Sequence, residues 1–261
     1  MTEERISAAH PLAWLFHANT MRWAHNAEPP PEDAWPMDPR ETPGLPLIRF
    51  PPSPAPVELE GLLQRRCSCR VFKEAPVAMS TIGAVLRDGY GILATDRDNR
   101  LEFPLRPVPS GGGLYPLELT LIARRIEGLA PGVYHYVAEH HGLELVAEAD
   151  FPKVLLDYLF MGQASLTAAP ALLVLSAVWK RTMTKYGDRG YRYMLFEAGH
   201  VMQNINLSAA RRGLGSCNIG VFFDVELGEV LHLDRDIETP LYACAVGVPA
   251  TENRMEQRDI G

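Results

Sequence analysis

The four cysteines of this chain, Cys67, Cys69, Cys217 and Cys244, include no Cys-x-x-Cys pair. Cys67 and Cys69 stand too close for the usual zinc spacings, so no metal site is expected. A disulfide framework is not expected in a chain of 261 residues, and reduced cysteines suit an intracellular setting. No stretch reaches the ~20 apolar residues that cross a bilayer. The opening MTEERISAAH lacks the basic-then-apolar order of a signal peptide. A cytoplasmic location without a membrane partner is therefore expected. Positive charge is not in excess either: 25 Lys and Arg face 32 Asp and Glu, a net charge of −7. With no basic patch interleaved with aromatics, nucleic acid is not an expected partner.

Catalytic signatures are missing too. There is no Gly-x-Ser-x-Gly elbow of a hydrolase. Glu197 and His200 form one Glu-x-x-His, but a di-iron site needs a second. His200 is thus expected as a satisfied core histidine. His135, His140 and His141 fall in or beside a hairpin turn and lack matching carboxylates in the sequence.

What the chain does have is 47% hydrophobic content, enough for a sizeable core. Residues 1–56 form a separate region. Prolines crowd positions 29–56, yet Trp14, Leu15, Phe16, Trp23 and Trp35 are apolar anchors that a disordered tail would lack. An extended arm is expected, packed on the domain or on a dimer partner. Residues 57–250 read as an α+β domain, and 251–261 as a C-terminal tail. Val57–Arg66 has helical spacing, and Ser80 or Thr81 is expected to cap a helix covering Ile82, Val85 and Leu86. Leu117–Arg125, Ala171–Trp179 and Leu241–Val248 read as strands, Val133–Val137 and Leu143–Ala147 as a hairpin, and Phe151–Met161 as a short helix. Tyr191–Arg212 is the longest expected helix, stopped by Gly213. It carries apolar residues around most of its circumference, so burial on several sides is expected, as a central helix or as a dimer core.

Four segments can carry chemistry. Arg66-Cys67-Ser68-Cys69-Arg70 offers two guanidinium groups and a hydroxyl, a set suited to a phosphate, although surface arginines after a helix would read the same. Pro109-Ser110-Gly111-Gly112-Gly113-Leu114-Tyr115-Pro116 precedes a strand. Its glycines would let backbone approach a planar ligand, or simply make a turn. It is not a phosphate-binding P-loop, since no Gly-Lys-Ser/Thr follows, nor a dinucleotide fingerprint, since no helix follows. Gly213–Gly220 again exposes backbone N–H groups, or merely connects helix to strand. Lys185–Tyr193 is dense in ionisable groups. Lys185 and Tyr186 in an apolar cleft would exchange protons with a substrate, whereas in a solvated loop they would not.

Together these segments resemble the SagB-type (McbC-type) dehydrogenases, a branch of the nitroreductase superfamily. The matching stretches are RRCSCRVF, PSGGGLYPLEL, GVYHY, KYGDRGYRYMLFEAGHVMQNINLSAARRGLG and PLYACAVGVP, in that order, with a weaker match at HPLAWLFHANT. The resemblance implies a nitroreductase-like α+β fold, with a mostly antiparallel central sheet, flanking helices and a long buried helix. It implies a homodimer with FMN sites at the subunit interface. It also implies oxidation of thiazolines and oxazolines to thiazoles and oxazoles in a ribosomal peptide, in a complex with a cyclodehydratase. By position, Arg66, Ser68 and Arg70 would hold the FMN phosphate and ribityl chain. Cys67 stands where the superfamily often has Arg or His. Pro109, Ser110, Gly111 and Gly112 would lie against the flavin ring, and Ile219 and Gly220 near its N5. Lys185 and Tyr186 match the pair implicated in catalysis. The alternatives are an NAD(P)H-dependent nitro or quinone reductase and a non-catalytic subunit of a peptide-modifying complex.

Overall fold

The computed structural model describes residues 10–21, 58–96, 103–163 and 168–250. The proline-crowded stretch, Trp23, Trp35 and the C-terminal tail lie outside the described residues. The centre of the fold is a six-stranded antiparallel sheet in the order β7-β6-β4-β8-β10-β9. Its strands are β4 (Leu117–Ala123), β6 (Gly132–Val137), β7 (Gly142–Glu148), β8 (Ala171–Val178), β9 (Gly215–Ile219) and β10 (Glu238–Gly247). Short pairs β1 (Val77–Ala78) with β5 (Ile126–Glu127), and β2 (Ala94–Asp96) with β3 (Phe103–Leu105), lie outside it.

The continuous apolar run of β8 is explained by layers on both faces. Leu173 and Leu175 pack towards α3 (Met79–Tyr90) and α6 (Arg189–Arg211) on one face. Leu172 and Val174 pack towards α4 (Lys153–Leu159) and α7 (Asp224–Val230) on the other. All four are fully buried, each contributing roughly 1.5–3 kcal/mol relative to exposure. A strand covered on both faces has no polar alternation to show.

Most expected elements are present, with ends shifted by one to three residues. Val57–Arg66 is realised as α2 (Glu58–Arg65) and Phe151–Met161 as α4. The long helix ends as expected, with Gly213 at φ +70° just past it. The cap of α3 differs. Ser80 and Thr81 lie inside the helix, Ala78 is at its N-cap, and no side chain caps it. Strand β1 runs straight into the helix and leaves no room for a capping residue. In the single chain, α6 is buried along one side. One side carries Met194, Ala198, Val201, Met202 and Ile205 into the core, while Leu195 and Phe196 remain 39% and 57% exposed. His200 is exposed rather than packed in the core, because it lies on that outer side.

The described part of the N-terminal region is helical rather than extended. Helix α1 (Pro11–Thr20) packs on its own domain through Ala13 and His17. His17 is clamped at both ring nitrogens, to the Tyr191 hydroxyl at 3.0 Å and the Thr239 hydroxyl at 3.1 Å. Its ring meets Trp179 edge-on at 5.0 Å, and the Ala13 N–H donates to Asp188 at 3.1 Å.

Candidate active site

The arginine segment lies along the sheet edge. Ser68 bridges Ser216 of β9 in a parallel sense, and the Cys69 N–H donates to the Ser216 carbonyl at 2.8 Å. Around an extended residue, side chains alternate. Cys69 turns inward and is buried against Gly215, where burial pushes its thiol pKa up. Ser68 and Arg70 are exposed, while Arg66 and Cys67 are half-buried. Neither Arg66 nor Arg70 has an ion-pair partner among the described residues. Further along the same edge are Ile219, buried, and Gly220, exposed. The half-buried Asn218 between them and Ser216 has a buried Oδ1 with no hydrogen-bond donor among the described residues. Two cationic side chains and an unfilled acceptor on one edge fit a phosphate-bearing, hydroxyl-rich ligand.

The glycine loop gathers the other residues. The Ser110 Oγ accepts the Tyr115 N–H at 2.9 Å, and the Ser110 carbonyl accepts the Gly113 N–H at 3.1 Å. Between them Gly112 sits at φ +68°, in the left-handed region. A Cβ there would stand 2.7 Å from the Tyr186 hydroxyl and 2.9 Å from the Lys185 Nζ. The absence of a side chain at Gly112 is what lets this pair close on the backbone. Lys185–Tyr193 comprises the end of helix α5 (Trp179–Tyr186), a turn at Gly187-Asp188 and the start of α6. Among the described residues, Lys185 is left exposed and Tyr186 half-buried. The Tyr186 ring meets Tyr193 edge-on at 5.0 Å.

A buried polar network stands behind the loop. Glu197 on α6 is 2% exposed and accepts the Tyr90 hydroxyl at 2.6 Å. Burial raises its carboxyl pKa. The polar side chains of Ser110 and Tyr90 and the charges of Arg106 and His200 oppose the rise. The Tyr90 hydroxyl also accepts the Leu117 N–H at 3.3 Å, at the start of β4. Arg106 stacks 4.3 Å from the centre of the Tyr90 ring. The sequence pattern marks Glu197 only as half of a metal-binding pair and Tyr193 only as part of the ionisable segment, and it gives no role to Tyr90 or Arg106. One signal was available: Glu197 is an acid on the core side of an otherwise apolar helix. His135 departs from expectation as well. It has carboxylate partners, Glu118 at 2.9 Å and Glu144 at 3.8 Å, supplied by neighbouring strands.

The strand register separates the two groups. Ser216 is level with Ala171, and Leu117 is level with Ala177. Six residues along the strands and three strands across amount to roughly 20 Å by 14 Å. Within one chain, the arginine segment lies on the edge strand β9, and the glycine loop leads into the interior strand β4, three strands away.

A profile described as "Nitroreductase family" matches residues 63–248, more than half of the chain.

The chain belongs to the nitroreductase family.

It is 35% identical over 191 residues to the nitroreductase-family protein MJ1384 of Methanocaldococcus jannaschii, covering 73% of this chain and 91% of that one. It is also 33% identical over 141 residues to McbC of Escherichia coli, the microcin B17-processing protein. That match spans 52% of this chain and 52% of McbC. Among solved structures, the fold matches a chain of the E. coli microcin synthetase McbBCD complex, determined with truncated pro-MccB17 bound. The TM-score is 0.70 with 24% identity, over 91% of both chains. The nitroreductase-like α+β fold, with an antiparallel sheet between helices, agrees with these likenesses.

Proposed function

We propose that the chain is an FMN-dependent dehydrogenase that oxidises thiazoline or oxazoline rings to thiazoles or oxazoles in a ribosomal peptide. One observation carries the reading. The Lys185 Nζ and the Tyr186 hydroxyl converge on Gly112, the point of closest backbone approach in the glycine loop. A proton-accepting pair beside an open backbone surface is what dehydrogenation of a flat ring needs. FMN, when bound, accepts the hydride leaving one ring carbon. Lys185 and Tyr186 take the proton leaving the adjacent carbon, and either has the chemistry to do so. Arg66, Ser68 and Arg70 hold the phosphate, with Cys67 contributing no charge to it. Pro109, Ser110, Gly111 and Gly112 lie on the ring, and Ile219 and Gly220 offer backbone groups from the sheet edge.

The assembly is a homodimer in this reading. Two features support it: the separation of phosphate and ring groups by three strands, and the exposed Leu195 and Phe196 on α6. The peptide would arrive from a cyclodehydratase, and the likeness to McbC supports that partnership.

The test is turnover of an azoline peptide by purified protein and by Lys185→Ala. The variant should stay yellow and lose at least ~100-fold in rate, within the usual range for a general base. Full activity in the variant would remove Lys185 from the reaction. MJ1384, matched over 91% of its length, favours a second reading, an NAD(P)H-dependent nitro or quinone reductase. Rapid bleaching of the bound flavin by NADPH, with no oxidation of the peptide, would decide for it.

A further inference from the structure

Helices α5 and α6 form a hairpin with Lys185 and Tyr186 at its tip. The two helices lie close together. A Cβ at Gly190 would stand 3.1 Å from the Thr182 Cγ2 and 3.2 Å from the Met183 Cα. The backbone bonds of the turn itself are local. The Gly187 N–H donates to the Met183 carbonyl at 2.8 Å, and the Gly190 N–H to the Gly187 carbonyl at 2.9 Å. A hold from a distant part of the chain comes from α1, where Ala13 stands 175 positions before Asp188.

Helix α1 is fastened to this hairpin at both of its helices and at the turn. Asp188 is the N-cap residue of α6, yet its side chain does not cap that helix. It accepts the Ala13 N–H instead, at 3.1 Å. That N–H belongs to the first turn of α1, where a helix has no internal acceptors, and His10 at the N-cap of α1 offers no side-chain bond. Asp188 therefore caps α1 from the hairpin turn, and its negative charge suits a helix start. At the start of α6 the Tyr191 hydroxyl bonds His17 Nδ1, and on β10 the Thr239 hydroxyl bonds His17 Nε2. A neutral imidazole has one donor and one acceptor nitrogen, so it can make both bonds at once. At the start of α5 the Trp179 ring meets His17 edge-on and stacks on Tyr191, with centroids 5.3 Å apart and planes at 14°. His17 thus joins α5, α6 and the sheet at one point. A helix of ten residues is too short to be stable alone, so α1 depends on these contacts.

We propose that α1 is a strap on the α5–α6 hairpin, and that His17 is a positioning residue which acts through Tyr191 to fix where Lys185 and Tyr186 stand against Gly112. Tyr191 lies five positions past Tyr186, across a tight turn, so a shift at one is felt at the other. The fit at Gly112 leaves little slack, and a misplacement of about 1 Å can cost on the order of 100-fold in rate. The link to catalysis rests on the reading of Lys185 and Tyr186 as the proton-accepting pair. The strap itself is a property of the chain.

The experiment uses the full chain as wild type, His17→Ala, His17→Gln, Lys185→Ala and His17→Ala/Lys185→Ala, at a temperature where each is folded. Amide hydrogen exchange reads the strap. In His17→Ala, exchange at Gly187 and Gly190 should quicken by roughly tenfold, the loss of one good hydrogen bond, while Leu173 and Leu175 in β8 stay protected. A merely structural role would quicken all four. Turnover of an azoline peptide then reads the consequence. In His17→Ala, kcat should fall on the order of tenfold or more, with KM and FMN content unchanged. His17→Gln keeps one donor and one acceptor and should recover most of that loss. In the Lys185→Ala background, His17→Ala should cost less than about twofold, because the base it positions is gone. If His17→Ala does not fold, Asp188→Ala, which frees the Ala13 N–H, takes its place in the same measurements. Unchanged exchange at Gly187 and Gly190, or an equal loss of rate with and without Lys185, would overturn the proposal. A wild type that oxidises no azoline, or a fully active Lys185→Ala, would instead overturn the functional reading, and the exchange pattern would still decide the strap.

Discussion

The arginines carry the plainest residue-scale consequence. Arg66 and Arg70 flank Ser68 on the sheet edge without ion-pair partners among the described residues, so their charge is available to a ligand. A charge-assisted hydrogen bond contributes roughly 1.5–3 kcal/mol. Replacing both with alanine should weaken FMN binding on the order of 100-fold or more, giving nearly colourless protein after desalting. Melting temperature should hardly move, since neither side chain packs in the core. Retained flavin in Arg66→Ala/Arg70→Ala would place the phosphate elsewhere. Lys185 and Tyr186 were legible as residues because they sit side by side in a motif. Their environment was not legible, since it depends on Gly112, more than 70 positions away. Glu197 was hidden for the same reason. Its partner Tyr90 comes from a helix end that only the fold brings beside it.

At the scale of elements, periodicity carried well where one force dominates. The apolar run Leu172–Leu175, the hairpin β6–β7 and the long helix stopped by Gly213 all follow from local pattern and burial. It failed where two elements abut. Nothing local says that β1 enters α3 without a capping side chain, or that Tyr186 ends one helix just before Arg189 starts the next. The helix α1 was overshadowed by the prolines that follow it. Its docking has a pH signature. Burial lowers the His17 pKa from 6.5 to about 4. Docking therefore favours the neutral ring. The stabilisation is complete above the undocked value of 6.5 and is lost as pH falls towards 4. The shift corresponds to roughly 3 kcal/mol. Tryptophan fluorescence of Trp14 and Trp179, whose rings lie 6.4 Å apart, should report α1 loosening between those values. The same acid titration of His17→Gln should lack that component. Identical curves for the two proteins would show that His17 does not govern the docking.

For the whole molecule, the fold is a two-faced sheet whose functional groups sit three strands apart. The arginine edge is at β9, and the loop that meets Lys185 is at the start of β4, three strands away. If each site takes its phosphate end from one subunit and its ring end from the other, damage at the two ends is separable between chains. Two defective alleles would then rescue one another. One chain carries Arg66→Ala/Arg70→Ala, the other Lys185→Ala, and each alone forms a dead dimer. Unfolded and refolded together, half the dimers would be mixed. Each mixed dimer would hold one site with both lesions and one with neither, so about a quarter of wild-type activity should return. No recovery, with mixed dimers demonstrated by mass, would mean that each subunit builds its site alone.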